Sequence, residues 1–381
     1  MIKTIFTVIP FVFAALVFAA FVVPAKVRVR VQAIMAMFLL FCSSKFLCFS
    51  AFGGDAFAPE LPERMIWFWG WAYSGMCFLA AFSVVLGPVR RFLERRSVAP
   101  RTVRWLWLAG LPALSWTLSA VGVWNGVKPP DVHTVEVEFE NLPESLDGYR
   151  VLQISDIHAS ASARRWRTKA IVDAANAAGA DMICLTGDNA DGLSQVRKYD
   201  IEPIRNLKAR DGVYAVTGNH EYYFDTFGWM AFYDSIGIKF LVNECVFPRP
   251  GLAVAGVNDL VCERAWEPLP DPDAALASAT NGEFRILLQH RPYMKYEHIV
   301  GREMKEHVDF QLSGHSHGGI CPVADRLIAM FNGGYVRGLY RNAGNAEVLC
   351  VSPGAGQWAG FPVRFFNDPE ITLYILRRKA K

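Results

Sequence analysis

Five times after residue 149, a short apolar run rich in branched side chains ends at once in Asp, Asn or His. Residues 150–155 run into Asp156 and His158, residues 182–186 into Gly187-Asp188, and residues 213–217 into Gly218-Asn219-His220-Glu221. Residues 284–289 run into His290, and residues 308–313 into Gly314-His315-Ser316-His317-Gly318-Gly319. Runs of this length and composition read as buried strands. In open α/β sheets, chemistry sits beyond the carboxyl ends of the strands. The recurrence therefore predicts one shared centre assembled from several strand ends. Asp156 and His158 alternate by two, so an extended backbone would send both side chains out on one face.

The intervening stretches complete the architecture. Residues 164–178 repeat apolar side chains at helical spacing, with Ile171, Val172 and Ala175 inward. Helices are predicted also at 196–208, 227–236 and 294–306, and further strands at 134–139, 252–257, 348–352 and 371–376. Helices alternating with strands early, then denser strands late, imply an α/β fold in which two packed sheets carry helices outside, a four-layer αββα sandwich.

The first third of the chain is different. Hydrophobic residues make up 52% of the 381 and aromatics 13%, and nearly all of the excess precedes residue 128. Residues 4–25, 65–87 and 105–127 carry no charge, and each run is long enough to cross a bilayer. Residues 31–52 are apolar apart from Lys45 and Ser43-Ser44, which leaves open a crossing or a re-entrant segment. A cleavable signal is the alternative for the first run, since Lys3 precedes it. More runs follow, so the expectation is an all-α transmembrane region of about four helices. It occupies residues 1–127, and a second domain occupies 128–381. Trp67, Trp69, Trp71, Trp105 and Trp107 cluster at the starts of the third and fourth runs, as interfacial aromatics do.

Orientation follows from the short loops. Lys26, Arg28 and Arg30 fill the first, and Arg90, Arg91, Arg95, Arg96, Arg101 and Arg104 the third. The second holds Asp55, Glu60, Glu63 and Arg64. Basic loops face the cytoplasm. That places the second domain on the external, periplasmic side of a bacterial inner membrane. The joint at 125–133, broken by Gly126, Pro129 and Pro130, reaches at most about 30 Å. A domain tethered so near the bilayer is a physical reason to consider a lipid-linked substrate.

Asp156, His158, Asp188, Asn219, His290, His315 and His317 offer two carboxylates, one amide and four imidazoles. Mixed nitrogen and oxygen donors suit a borderline divalent ion such as Mn, Fe or Zn. Seven donors are too many for one catalytic ion with an open position, and enough for two ions sharing a carboxylate. The eight cysteines form no CxxC pair and read as small buried hydrophobes, with a Cys245–Cys262 disulfide as the alternative for that pair. A net charge of +3, with no long Lys/Arg stripe after residue 170, argues against a nucleic-acid partner.

The order Asp-x-His, Gly-Asp, Gly-Asn-His-Glu, a lone His, then Gly-His-x-His resembles the calcineurin-like metallophosphoesterases over about residues 149–376. Within them it is similar to the membrane-attached bacterial phosphodiesterases. Ser155-Asp156-Ile157-His158, Gly187-Asp188 with Asp191, Gly338-Leu339-Tyr340, Gly354-Ala355-Gly356, Pro362-Val363-Arg364 and Pro369-Glu370-Ile371 carry that closer likeness. One departure is Ile320, where that branch commonly has Gln. The resemblance implies Asp156, His158 and His317 on one ion, Asn219, His290 and His315 on the other, and Asp188 as the bridge. It implies His220 as the non-ligand histidine beside the scissile phosphate.

The expected activity is that of a metal-dependent phosphoric ester hydrolase, a phosphodiesterase or phosphatase. Its expected substrate is a phospholipid, glycolipid or lipid-linked envelope intermediate. Hydroxide would attack phosphorus in line, and His220 would protonate the leaving oxygen. Two other readings are a nuclease or nucleotide hydrolase, and a catalytically silent membrane assembly or sensor module; the complete donor set argues against the last. Arg164, Arg165, Arg167 and Lys169 could clamp a phosphate or form a solvated helix face. Tyr222, Tyr223 and Phe224 could line a pocket or pack in the core. Arg364 could approach the substrate, and Trp358 and Phe361 the bilayer. Lys45 is a functional candidate by its place in a span, or else snorkels.

Overall fold

The computed structural model describes residues 2–379 except 266, 281, 294–295, 320, 322–324 and 344–345. It contains two compact units, Met1–Gly126 with Ala359–Arg364, and Val127–Trp358 with Phe365–Lys381.

In the first unit, α1 (Ile2–Val17) continues through a π turn to Val22 and a 3-10 turn to Ala25. α2 (Val29–Ser43) and α3 (Lys45–Ala51) meet at a bend of 52°. α4 (Glu63–Arg95) precedes α5 (Pro100–Trp105), a second π turn and α6 (Leu111–Val127). Phe6–Ala25, Glu63–Arg95 and Pro100–Val127 are long and apolar enough to cross a membrane, and the bent pair adds a fourth if it is one span. The bend has a local cause. Ser43 donates its hydroxyl to the Leu39 and Pro10 carbonyls at 2.8 and 3.1 Å, and Ser44 to Phe41 O at 2.7 Å. Serine hydroxyls that back-bond in this way bend helices.

Lys45 does not snorkel. It is fully buried, with Nζ 4.3 Å from the Phe361 ring centroid and 4.9, 5.1 and 5.6 Å from those of Phe46, Tyr73 and Phe49. The ring faces supply the attraction that water would otherwise give an ammonium group. Phe361 thus packs inside the helical unit. Arg364 is buried there too, its backbone N–H donating to Gly122 O at 2.8 Å. Trp105 is exposed, whereas Trp107 is buried, stacks on Phe21 and donates to Phe21 O at 3.2 Å, so it is a packing residue.

The second unit contains β1 (Asp131–Phe139), β2 (Arg150–Ile154), β3 (Met182–Thr186), β4 (Val213–Val216), β5 (Lys239–Phe240) and β6 (Glu244–Arg249). β7 (Leu252–Gly256), β8 (Phe284–Leu288), β9 (Val308–Ser313), β10 (Gly338–Ala343), β11 (Ala346–Val351) and β12 (Glu370–Arg378) follow. Among the described residues they form two six-stranded sheets, ordered β1-β12-β2-β3-β4-β5 and β10-β11-β9-β8-β7-β6. β3, β7, β8 and β9 are buried along their whole length. Strands covered on both faces read as near-continuous apolar runs. β1, at a sheet edge, alternates and leaves much of itself to solvent.

Val151, Met182, Cys184 and Val216 of one sheet meet Val254, Ile286, Phe310 and Val348 of the other in a shared core. On the far face of the first sheet, Ile154, Ile183 and Leu185 pack on Ile171 and Val172 of α7 (Arg165–Ala177), with Ile201 of α8 (Ser194–Ile201) in the same cluster. On the far face of the second, Ala255, Val257 and Leu287 pack on Ala275 and Leu276 of α11 (Pro272–Leu276), which α9 (Asn219–Phe224) and α10 (Thr226–Ser235) precede and α12 (Tyr296–Ile299) follows. The four layers are helix, sheet, sheet, helix.

Two expected helices are shorter than their patterns. Pro203 has no N–H to continue the run after Ile201, and residues Glu202–Asn206 tighten into a 3-10 turn. In the expected helix at 294–306, only Tyr296–Ile299 is helical among the described residues. Asp273 Oδ1 takes the backbone N–H groups of Lys305 and Glu306 at 2.8 and 2.9 Å, which replaces the helical ladder there. Cys245 and Cys262 are both free thiols.

Candidate metal centre

β2, β3 and β4 are parallel neighbours in one sheet, and β8 and β9 in the other. Their carboxyl ends face a common place. Gln153 Nε2 joins them, donating to Thr186 Oγ1 and to Ser313 O across the sheets, each at 2.9 Å. All seven donor residues lie just beyond these ends: Asp156 and His158 after β2, Asp188 after β3, and Asn219 at the start of α9 (Asn219–Phe224). His290 follows β8, and His315 and His317 follow β9.

The backbone there is not extended. Asp156, His158, Asp188, His315 and His317 take φ of 53, 48, 52, 71 and 49°. Left-handed conformations are uncommon outside glycine, least so for Asp, Asn and His. Each costs on the order of 1–3 kcal/mol and persists only where the surroundings over-determine it. Here the two turns are laced together: the N–H groups of Asp156 and His158 donate to Gly187 O and Asp188 O at 3.0 and 3.1 Å. The side chains of Asp156 and His158 converge through turns, not through strand alternation.

The donor atoms form two groups. Asp156 Oδ1 stands 3.5 Å from His317 Nε2 and 3.9 Å from His158 Nε2, and the two imidazole nitrogens are 3.1 Å apart. In the second group, Asp188 Oδ2 is 3.2 Å from His290 Nε2, which is 3.2 Å from His315 Nδ1. Asp188 Oδ2 also lies 3.9 Å from His158 Nε2, so one carboxylate oxygen borders both groups. Each group has the spacing to hold a metal ion. Asn219 is buried between Gly218, whose N–H donates to Glu221 Oε2 at 2.8 Å, and His220, whose N–H donates to Asp188 Oδ1 at 2.8 Å.

Outer hydrogen bonds aim the imidazoles. Nδ1 of His290 faces Thr186 O at 2.8 Å, Nδ1 of His317 faces Gly356 O at 3.3 Å, and Nδ1 of His158 faces Asp191 Oδ1 at 2.8 Å. Those acceptors require Nδ1–H, which leaves the Nε2 lone pair toward the centre. Asp191 Oδ1 also receives His220 Nδ1 at 2.6 Å. Glu221 accepts the N–H groups of Asp188 and Asn189 at 3.0 and 2.7 Å and fixes the turn beneath the shared carboxylate. The motif spacing marks Asp191 and Glu221, but not these contacts.

Electrostatics follow the geometry. Burial opposes the charge on Asp188, yet the imidazoles of His290, His220 and His158 hold its carboxyl well below the usual range. Burial likewise opposes charge on Asp191, but His158 and His220 bring it down to about 2. Burial disfavours charge on His220 and His290, and the carboxylates of Asp188 and its neighbours outweigh it, raising them to about 9 and about 10. Asp156 is pushed up by burial and by the charge on Asp188.

Two oxygens test whether metal fits. Asp156 Oδ1 and Asn219 Oδ1 are buried and have no hydrogen-bond partner among the described residues. A buried carboxylate oxygen and a buried amide oxygen without donors are costly unless a cation satisfies them. Imidazole, carboxylate and amide donors suit divalent ions, so the buried Asp and His clusters are consistent with a dimetal site.

Other candidates lie elsewhere or have structural partners. Arg164 pairs with Asp200, Arg165 with Glu202 and Lys169 with Asp173, while Arg167 is buried and donates to Lys128 O and Ala355 O. The Tyr223 ring centroid lies 5.2 Å from that of His220, and Tyr222 is bonded to Thr217 at 3.1 Å. Ile320 lies outside the described residues.

A profile of the calcineurin-like phosphoesterases matches residues 149–319. The chain is 33% identical over 272 residues to a transmembrane protein with metallophosphoesterase domain from Danio rerio, which covers 68% of this chain and 60% of that protein. It is 31% identical over 259 residues to an uncharacterized metallophosphoesterase of Helicobacter pylori, covering 68% of this chain and 67% of the relative. It is 28% identical over 266 residues to the metallophosphoesterase YkuE of Bacillus subtilis, covering 66% and 87%. With this fold and these buried clusters, the chain belongs to the calcineurin-like metallophosphoesterases. It spans 60% of the length of the zebrafish relative.

Proposed function

We propose that the chain is a membrane-tethered phosphodiesterase or phosphatase holding two divalent ions, Mn, Fe or Zn, and acting on a lipid-linked phosphoester. Residues 1–127 are the transmembrane region and 128–381 the catalytic domain, outside the cytoplasmic membrane. Asp156, His158 and His317 would hold one ion and Asn219, His290 and His315 the other, with Asp188 available to both. The observation that carries this is the position of Asp188 Oδ2, 3.2 Å from His290 Nε2 and 3.9 Å from His158 Nε2.

Bound divalent ions would supply an activated water and neutralise phosphoryl charge. The chain's own groups do the rest. Asp191 orients His158 and His220 through one oxygen. His220, its Nδ1 fixed by Asp191, keeps Nε2 4.0 Å from Asp188 Oδ2, at the edge of the centre. In this reading it donates the proton on Nε2 to the leaving oxygen.

Hydrolysis of a model diester with added Mn²⁺, before and after chelation, tests the activity: loss on chelation and return with metal are expected. The lipid preference is tested by comparing soluble and lipid-linked diesters in detergent-purified protein. Equal rates on both would remove it.

A further inference from the structure

The segment after the Gly-His-Ser-His-Gly-Gly motif contains α13 (Asp325–Phe331), a helix with no buried residue. Leu327, Met330 and Phe331 are spaced i, i+3, i+4 and therefore share a face. They are 57, 79 and 80% exposed. Such a face on a short, otherwise unpacked helix marks an interaction surface.

This helix is tied to the rim of the candidate centre. Arg337 donates to both carboxylate oxygens of Asp325, at 2.9 and 2.7 Å, and to Gly318 O at 2.6 Å, beside His317. Gly333, in the turn after α13, sits so close against Tyr293 that a Cβ there would meet its ring. Tyr293 belongs to the loop that leaves His290. Phe366, 76% exposed, flanks the same rim, and its neighbour Asn367 donates Nδ2 to His317 O at 2.8 Å. The Arg337 pair neutralises the carboxylate of Asp325, leaving Arg326 as an exposed cation beside the apolar face.

We propose that α13 is an interfacial lip: its apolar face enters the headgroup boundary of a phospholipid bilayer and holds the rim of the metal centre at the lipid surface. The occupant follows from the rest of the chain. Candidate membrane spans end at Val127, and β1 begins at Asp131. A domain on so short a tether meets lipid before any other partner. An apolar face edged by a basic residue is the composition of interfacial helices. The proposal rests on the membrane-tethered reading above and adds the surface through which lipid is met.

The test uses the full chain in nanodiscs of phosphatidylethanolamine and phosphatidylglycerol, with p-benzoylphenylalanine replacing Phe331 or, as control, the exposed Phe247 of β6. Irradiation should add the mass of one phospholipid at position 331, at several times the yield at 247. No lipid adduct at 331, or equal yields at both positions, overturns the lip. A second arm compares L327S/M330S/F331S with the unsubstituted chain. Turnover of a vesicle-borne diester should fall about tenfold while that of bis(p-nitrophenyl) phosphate is unchanged; equal loss on both would mean a folding role and also overturns it. A lipid adduct at 331 in a protein that never prefers lipid-linked diesters supports the lip and removes the lipid substrate instead.

Discussion

His158 and His220 bond to the same atom: Asp191 Oδ1 lies 2.8 Å from Nδ1 of the first and 2.6 Å from Nδ1 of the second. One carboxylate thus orients a proposed metal donor and the proposed acid. Asp191→Ala should lower turnover more than either function alone explains. The expected loss is about 10–100-fold through metal affinity, compounded by misplacement of His220. Titrating activity with Mn²⁺ separates the two, because saturating metal should restore only part of the rate. Full recovery would leave His220 independent of Asp191.

His220→Ala should keep the metal content of the unsubstituted protein and lose about 10²–10⁴-fold in turnover. Elemental analysis and kcat on one preparation decide this. The loss should shrink on substrates with good leaving groups such as nitrophenolate, which need no proton. An equal loss on all substrates would point to structure.

Asp188→Asn should reduce bound metal itself, because the amide removes the charge shared by both groups. Metal content equal to that of the unsubstituted protein would count against the bridge.

Metal binding should release protons. In the metal-free fold, His220 and His290 titrate near 9 and 10, against 6.5 for free imidazole. Their raised values contribute stability that is full below about 6.5 and lost as pH rises through 9 to 10. Metal competes with the proton on His290, so Mn²⁺ added at pH 7.5 in weak buffer should release about one proton per chain. The metal-free protein should also lose melting temperature between pH 7 and 10, and the metal-loaded protein much less. A flat dye signal on adding metal would contradict this.

Gly314 leaves no room for a side chain: a Cβ there would collide with Ser155 Oγ and Asp156 Oδ2. Gly314→Ala should cost about 1–3 kcal/mol and displace Asp156. Calorimetry and metal content measured together check it, and unchanged values for both would mean that the turn yields.

The strand ends were legible because burial on both faces demands uninterrupted apolar runs, and polar residues that stop such runs stand out. All seven donors therefore appear in the sequence as punctuation. How they converge does not. The alternation of Asp156 with His158 suggests an extended backbone, and only the lacing to Gly187 and Asp188 forces both into left-handed turns. Asp273 shortening the helix before Glu306 is likewise a long-range effect, 32 residues away from Lys305. The aromatic cage of Lys45 depends on Tyr73 and Phe361, tertiary neighbours that no local pattern records. α13 hid because it is only seven residues long and Gly333 and Gly334 break the pattern just after it.

The proposal that Asp188 is shared by two cations is tested most directly by anomalous diffraction from crystals of the full chain grown with Mn²⁺. Two peaks are expected, one bounded by Asp156, His158 and His317 and the other by Asn219, His290 and His315, with Asp188 Oδ2 between them. A single peak, or none within reach of Asp188, would contradict the account.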